Sequence, residues 1–382
     1  MEIGSIFEID PHDVALAKKN TGAPESAELT KYRKAGYALT GSGREAIKLA
    51  LMSLIQDDPE VSKVCLVPAY MCDTVFIPFL QCDWEIVPYH IGRDMKADAD
   101  ELKALIAKHN PGMIFIHSYY GMDTWKDIRP MLHEYQNSGQ IYLMEDMTQN
   151  YYTRTPDRDI DYIVGSLRKW YSIPDGGFVL SDMPLHTELL TNDDYFVTKR
   201  IEMLTAKWNY LSDLAKSQVA NTIEGLGDRK VRFLQLNHDM EEYLDRLDKM
   251  TPMSQVGIGL FNMADEMVSY VTRHENYKML HEALHDVEEI ELVFTEYSKD
   301  AAPLYFPVYA ENRDELQKYL CDNDIYCPVL WPIAKILEDK LSDDERYIYE
   351  HILAIPCDHR YGIVQMQRII DVIMDKYCKI YR

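Results

Sequence analysis

Short apolar segments recur through the first half of the chain, and stretches with helical spacing separate several of them. Residues 97–108 place Leu102, Leu105 and Ile106 at helical intervals, and 128–135 is a second candidate helix. Strands that alternate with helices form parallel βαβ units, so we expect an α/β fold with a mostly parallel sheet. The predicted strands are 64–67, 85–89, 113–117, 141–145, 161–165 and 177–181. Ligands of such sheets bind beyond the carboxyl ends of the strands.

The second half predicts a helical region followed by a smaller α/β unit. The pattern is mainly helical over 184–249, and 253–284 is one long helix or two in series. Further strands are predicted at 304–308, 325–330 and 352–356, with helices at 313–320 and 364–377. We therefore expect an N-terminal arm over 1–35 and a large domain over 36–250. An interdomain helix and a small C-terminal α/β domain then occupy 251–382.

The charge balance excludes some classes of partner. The 382 residues include 40 Lys and Arg against 63 Asp and Glu, which gives a net charge of −23. So acidic a surface repels phosphate backbones and anionic membranes, although a local positive pocket can still hold a small anion. No apolar run reaches membrane-spanning length, and the acidic N-terminus is unlike a secretory signal.

The cysteines indicate the compartment. The seven cysteines are scattered and form no CxxC pair, and no His, Cys and Asp group has zinc spacing. This pattern favours a reducing, cytoplasmic setting, and we expect no metal site.

Three short segments carry residues suited to catalysis. The glycine-rich turn at 40–47 leads into a predicted helix, whose first N–H groups attract anions. Asp146 directly follows a predicted strand, where an acid can hold a protonated ring nitrogen and Gln149 can bond a ring oxygen. Lys169 follows the next strand in an apolar setting, which favours Schiff-base chemistry. Taken singly, these segments are a helix cap, a solvated acid and a surface lysine.

In combination, these segments resemble the fold-type I pyridoxal-phosphate enzymes, and among them the DegT/StrS-type nucleotide-sugar aminotransferases. Residues 42–47 resemble that family's Ser-Gly-Thr-x-Ala-Leu turn, and Glu145-Asp-Met-Thr-Gln149 matches its Glu-Asp-x-Ala-Gln. The segments 67–70, 116–121, 252–254 and 353–356 are similar to further family motifs, and the resemblance covers most of the chain.

The resemblance implies a role for each matching residue. Lys169 would form the Schiff base with pyridoxal 5'-phosphate and then shuttle a proton, and Asp146 would pair with the pyridinium nitrogen. Gln149 would contact the ring hydroxyl. The phosphate would be held by backbone N–H groups of Gly43 and Arg44 and by the Ser166 hydroxyl, and Arg168 could add charge or face solvent.

Several positions depart from the family pattern. The Gly-Tyr-Asn loop that reaches the neighbouring subunit's cofactor is not visible in 247–252. The residue that stacks on the cofactor ring falls near Tyr70 and Cys72, and Cys72 is alternatively a buried small side chain. His117 is a candidate beside the ring, and Arg360 a candidate for binding substrate, although both are alternatively structural.

The resemblance implies a cytoplasmic homodimer that transfers an amino group from a donor, expected to be glutamate, to a keto acceptor such as a keto-sugar nucleotide. Elimination or decarboxylation at Cα would use the same Lys169 and Asp146. A catalytically silent cofactor-binding scaffold is a further alternative.

Overall fold

Seven strands form the central sheet of the computed structural model, which describes residues 2–20, 22–152, 155–220, 225–296 and 298–377, without the side chains of 217–220. The described residues form twelve strands in all, namely β1 Ile3–Gly4, β2 Gly36–Thr40, β3 Val64–Pro68, β4 Glu85–Tyr89, β5 Met113–His117, β6 Tyr142–Asp146, β7 Tyr162–Ser166, β8 Gly177–Ser181, β9 Ile290–Leu292, β10 Tyr305–Ala310, β11 Ile325–Tyr326 and β12 Ile352–Pro356. The sheet order is β2-β8-β7-β6-β5-β3-β4. Strands β3 to β7 are parallel to one another, and β8 pairs antiparallel with both β7 and β2.

Helices follow most strands, as βαβ connections require. They are α1 Pro11–Ala17, α2 Ala27–Thr30, α3 Gly43–Asp57, α4 Phe76–Gln81, α5 Ala99–His109, α6 Arg129–Asn137, α7 Tyr195–Ala220, α8 Leu226–Arg246, α9 Gln255–Asn262, α10 Glu266–Leu284, α11 Arg313–Asp322, α12 Asp343–His351 and α13 Ile363–Tyr377. The expected α/β fold with a mostly parallel sheet is therefore confirmed.

The six strands predicted in the first half are confirmed to within one residue at each end. Strand β2 was missed, because it is a short edge strand whose Tyr37 is 56% exposed and whose pairing with β8 defines it. The strand predicted at 325–330 is wrong beyond Tyr326. Only Ile325 and Tyr326 pair with another strand, β1, and Pro328 has no N–H to donate to a ladder.

The long helical segment predicted over 253–284 consists of two helices in series. Ser254 caps α9 by accepting a hydrogen bond from the Gly257 N–H, and Asp265 caps α10 in the same way from Val268. The helical run breaks at 263–265, and the Asp265 cap restarts it there, as side-chain acceptors at N-caps commonly do.

Apolar residues form two main clusters. The larger cluster surrounds the seven-stranded sheet. The second lies among α10, α11, α13 and strands β9, β10 and β12, and Ile3 of β1 joins it. The N-terminal segment thus packs against the C-terminal half of the chain, while the domain limits stay a prediction.

Within the described parts of the chain, every helix is too short or too polar to cross a membrane.

Leu143 lies in β6 at the centre of the sheet and is fully buried. We expect Leu143→Ala to lower the free energy of unfolding by about 2–5 kcal/mol, because it leaves a cavity in the larger cluster. Denaturation in urea measures the loss. Val231→Ala, at a side chain that is 66% exposed, is the control and should change little. Equal effects for the two variants would contradict this placement of the core.

Candidate active site

The start of α3 lies at the same edge of the sheet as the carboxyl ends of β5, β6 and β7. Ser42 caps the helix, and its Oγ accepts a hydrogen bond from the Glu45 N–H. The N–H groups of Gly43 and Arg44 belong to the first turn, where no preceding helix carbonyl can accept them. This turn therefore presents donors suited to an anion.

Gly177 brings this turn against the end of β7. It pairs with Thr40 on one side and Ser166 on the other. A Cβ at Gly177 would lie 2.2 Å from the Ser42 carbonyl oxygen, so only glycine allows the close approach. A Cβ at Gly43 would lie 3.2 Å from the Ser166 Cβ. The turn at 42–43 and Ser166 are thus direct neighbours.

Asp146 ends β6 and is buried. Its Oδ1 accepts a hydrogen bond from the Thr148 N–H at 2.8 Å, and its Oδ2 lies 3.3 Å from Nδ1 of His117. His117 ends the neighbouring strand β5, directly opposite Asp146 in the ladder. The carboxylate is therefore held at the sheet edge by one backbone donor, and the imidazole of His117 lies beside it without a hydrogen bond.

Thr148 links the end of β6 to the turn that carries Lys169. Its Oγ1 accepts a hydrogen bond from the Ser166 N–H, and its carbonyl accepts one from the Trp170 indole. Gln149 is also buried, and its Oε1 accepts a hydrogen bond from the Tyr120 N–H at 3.0 Å. Thr148 lies inside the motif quoted above, but its linking role was not foreseen.

Lys169 ends a helical turn that directly follows β7. Its side chain is exposed to solvent, yet the surrounding protein lowers its pKa through desolvation. The two observations together describe a side chain in a recess of the surface. Glu241 of α8 opposes this shift, and Arg168 adds to it. A lowered pKa makes the free amine more available as a nucleophile.

The side chains of Arg44 and Arg168 both extend to α8. Arg44 pairs with Asp245 at 2.5 Å and Arg168 with Glu241 at 3.1 Å. Nothing in the sequence around 241 indicates this contact, since α8 is almost 200 residues from Arg44.

Tyr70 and Cys72 follow β3 at the same edge. The Tyr70 ring is fully buried among Tyr119, Trp331 and Tyr349, and its hydroxyl bonds Tyr120 and Leu330. This enclosure favours a structural role over stacking on a ligand.

Cys72 is half-buried, and its Sγ lies 3.2 Å from the Thr74 hydroxyl. Burial raises the pKa of its thiol, although nearby Lys169 acts in the opposite direction. Cys72 therefore lies beside the lysine, as a predominantly neutral thiol.

His117 packs edge-on against both Tyr119 and Trp331. Trp331 comes from the C-terminal half of the chain and directly follows the segment 325–330, which was expected to be a strand. It thus covers one side of the His117 and Asp146 pair, which sequence alone did not indicate.

Arg360 bonds to its own loop and to the N-terminal segment. Its guanidinium donates to Asp358 through two nitrogens and to the carbonyls of Ser5 and Ile6, and it also reaches Glu8. Its donors are therefore occupied in fastening the N-terminal segment, which favours the structural alternative over substrate binding.

His133, Asp157 and Asp159 bring their ligand atoms within 4.8 Å of one another. Arg129 Nη1, however, lies 2.6 Å from Asp157 Oδ2. The Arg129 guanidinium already neutralises Asp157, so these three residues do not support a bound cation.

Solved structures share this fold along their whole length. A sugar aminotransferase from Micromonospora echinospora matches 98% of this chain and 100% of its own, with TM-score 0.66 and 14% identity. A putative sugar aminotransferase from Streptococcus pneumoniae, in its pyridoxal-phosphate form, matches 100% of both chains with TM-score 0.67 and 13% identity. A Helicobacter pylori aminotransferase involved in pseudoaminic acid biosynthesis matches 99% of both chains, with TM-score 0.65 and 10% identity.

No protein-family model and no curated protein sequence matches the chain. At 10–14% identity, the structural likeness establishes the fold. The chain thus has the fold of these aminotransferases, the fold-type I architecture that the sequence resemblance implied.

Two buried acids support the start of α3. Glu45 accepts hydrogen bonds from the N–H and hydroxyl of Thr251, and Asp175 accepts them from the N–H and hydroxyl of Ser254. Burial raises the pKa of both acids, that of Asp175 to about 7. The segment at 251–254 is thereby fastened beneath the glycine turn.

This raised pKa predicts a pH dependence of stability. Because folded Asp175 holds its proton up to about pH 7, its stabilising contribution is complete below about pH 4 and declines as the pH rises to about 7. Relative to Asp175→Asn, the wild type should lose up to about 1.4 kcal/mol of unfolding free energy per pH unit over that interval.

Urea denaturation of both proteins at pH 5, 6, 7 and 8 measures this difference. Asp339→Asn, at an exposed position, is the matched control and should track the wild type. Parallel stability curves for the wild type and Asp175→Asn would contradict the raised pKa.

Proposed function

We propose that the protein is a pyridoxal-phosphate-dependent aminotransferase. The observation that carries the proposal is the convergence of Lys169, Asp146 and the start of α3 at one edge of the sheet. The Lys169 turn and Asp146 follow the adjacent strands β7 and β6, and Ser166 touches the turn that opens α3. The amine, the carboxylate and the N–H groups that can bind an anion are thus arranged around one recess.

The residues present fit pyridoxal phosphate. The glycine turn offers unpaired N–H donors for the phosphate, because Gly43 and Gly177 leave no Cβ in the way. Asp146 is buried, as an acid that holds a protonated pyridine nitrogen must be, and Lys169 is accessible. When bound, the cofactor supplies an aldehyde for amines and a ring that takes up electron density from Cα.

Each residue then has a distinct task. Asp146 would hold a proton on the ring nitrogen, and His117 would lie beside its carboxylate. Lys169 would bind the cofactor through Nζ and carry a proton to and from Cα. The N–H groups of Gly43 and Arg44, with the Ser166 hydroxyl, would bind phosphate, and Gln149 would lie near the ring hydroxyl.

We further propose glutamate as the amino donor and a keto-sugar nucleotide as the acceptor. The naming of structural neighbours as sugar aminotransferases supports a sugar acceptor, whereas glutamate and the nucleotide rest on the sequence resemblance. A homodimer is part of the same proposal, and the exposed side chains of Met267, Val268 and Val271 on α10 offer apolar surface for it. A cytoplasmic location agrees with the six described cysteines, which are free.

Lys169 should be the point of covalent attachment. Reduction with borohydride in the presence of pyridoxal phosphate should add the cofactor's mass to the peptide that contains Lys169. Lys169→Ala should lose this modification, whereas Lys199→Ala, at a surface lysine paired with Glu202, should keep it. Mass spectrometry after digestion gives the position. Unchanged labelling of Lys169→Ala would contradict the assignment.

Substitution of Asp146 should lower turnover more than it lowers attachment of the cofactor to Lys169. Asp146→Asn removes the charge that would stabilise a protonated ring nitrogen, so we expect kcat to fall at least about a hundredfold. Borohydride labelling of Lys169 should persist in this variant. Asp159→Asn, at an exposed acid, is the control for a loss of negative charge.

A spectral screen of amino donors tests the class of reaction. Glutamate should convert the bound cofactor to its amine form with one equivalent of 2-oxoglutarate released, and a keto-sugar nucleotide should restore the original spectrum. Release of carbon dioxide or ammonia would instead indicate decarboxylation or elimination. No change with any amino acid would indicate a binding scaffold.

A further inference from the structure

Three arginines from separate parts of the chain converge on Glu241 of α8. Arg44 Nη2 lies 3.4 Å from Oε2, while Arg168 Nη1 and Arg200 Nη1 lie 3.1 and 3.3 Å from Oε1. Arg44 belongs to the first turn of α3, Arg168 precedes Lys169, and Arg200 lies on α7. We call these four residues the arginine cluster.

The arginine cluster carries excess positive charge. Three guanidinium groups face only two paired carboxylates, those of Glu241 and Asp245. The further acids near Arg168, Glu45 and Asp175, have pKa values raised by burial. The side chains of Arg168 and Arg200 are each only 7% exposed. Burying like charges together is costly unless an anion compensates them.

Two donors of the cluster have no protein acceptor. The Nε atoms of Arg168 and Arg200 are buried without a hydrogen-bond partner. Burial and the charge of Arg168 also lower the pKa of Arg200 to about 9. The cluster therefore has both charge and hydrogen-bonding capacity beyond what Glu241 satisfies.

The position of the cluster indicates which anion it serves. Arg44 directly follows Gly43, whose N–H opens α3, and Arg168 lies two residues after Ser166. The surplus charge is therefore built onto the same turns that present the backbone donors. Three guanidinium groups suit a dianionic phosphate monoester better than a single carboxylate.

We propose that the arginine cluster supplies the counter-charge for a phosphate dianion bound at the start of α3. Glu241 is a positioning residue that holds the three guanidinium groups together, and Arg200 acts on the phosphate through its charge. That the phosphate is the cofactor's rests on the proposed function. The α7 and α8 helices would then complete the phosphate site from within the same chain.

Arg200 allows the sharpest test, because it belongs to neither turn of the recess. Arg200→Met should weaken binding of pyridoxal phosphate by about tenfold, while binding of pyridoxal, which has no phosphate, stays unchanged. Arg200→Lys keeps the charge and should restore most of the affinity. Arg246→Met, at an exposed arginine paired with Glu242 on the same helix, should match the wild type.

Dissociation constants for pyridoxal phosphate and pyridoxal, from spectral titration, give the primary result. The second measurement is the unfolding midpoint of each ligand-free protein in inorganic phosphate and in chloride at equal ionic strength. Phosphate should raise the midpoint of the wild type and of Arg246→Met more than that of Arg200→Met. The chloride series shows whether each variant is folded.

The outcomes separate the two proposals. If Arg200→Met loses affinity equally for pyridoxal phosphate and pyridoxal, or loses affinity for neither, the role of the cluster is overturned and the aminotransferase proposal stays in place. Stabilisation by inorganic phosphate that depends on Arg200, without binding of pyridoxal phosphate, would support the cluster and contradict the proposed function. A wild type that responds to neither would overturn both.

Discussion

The antiparallel strand β8 is the constraint on which the rest of the site depends. Because β8 runs against both β7 and β2, those two strands point the same way and end at the same edge. Gly177, the first residue of β8, then lies between Thr40 and Ser166 and touches the Ser42 carbonyl. A β2 that ran antiparallel to β7 would instead put the start of α3 at the opposite edge, far from Asp146 and Lys169.

The local charge at the recess is opposite in sign to the net charge of the protein. The net charge of −23 repels anions at long range. At the recess, however, free N–H groups, three converging arginines and Lys169 lie within a few turns of one another, and the two acids beneath α3 have raised pKa values that favour their neutral forms. Burial thus opposes ionisation of these two acids where an anion is expected, while Glu241 pairs with the arginines.

The parallel strands and the local motifs could be predicted because each depends on residues close in sequence. Continuous apolar segments mark strands buried on both faces, and the residues after them were correctly expected at one edge. Edge strand β2 and the short β9 could not be found this way, since Tyr37 is exposed and Glu291 interrupts a three-residue strand. The segment after Tyr326 is apolar enough for a strand, yet it forms no ladder with any described strand: Pro328 has no N–H to donate and only accepts one hydrogen bond, from the Ala354 N–H of β12.

Sequence by itself determined the order of glycine turn, acid and lysine, and therefore the kind of chemistry the recess is suited to. Only the tertiary structure decided what each charged side chain contacts. Arg360 is occupied by the N-terminal segment and Tyr70 by aromatic packing, whereas Arg44, Arg168 and Arg200 meet at Glu241. The physical reason is range. Backbone preferences and strand patterns act over a few residues, but an ion pair depends on which distant helix packing brings within about 4 Å.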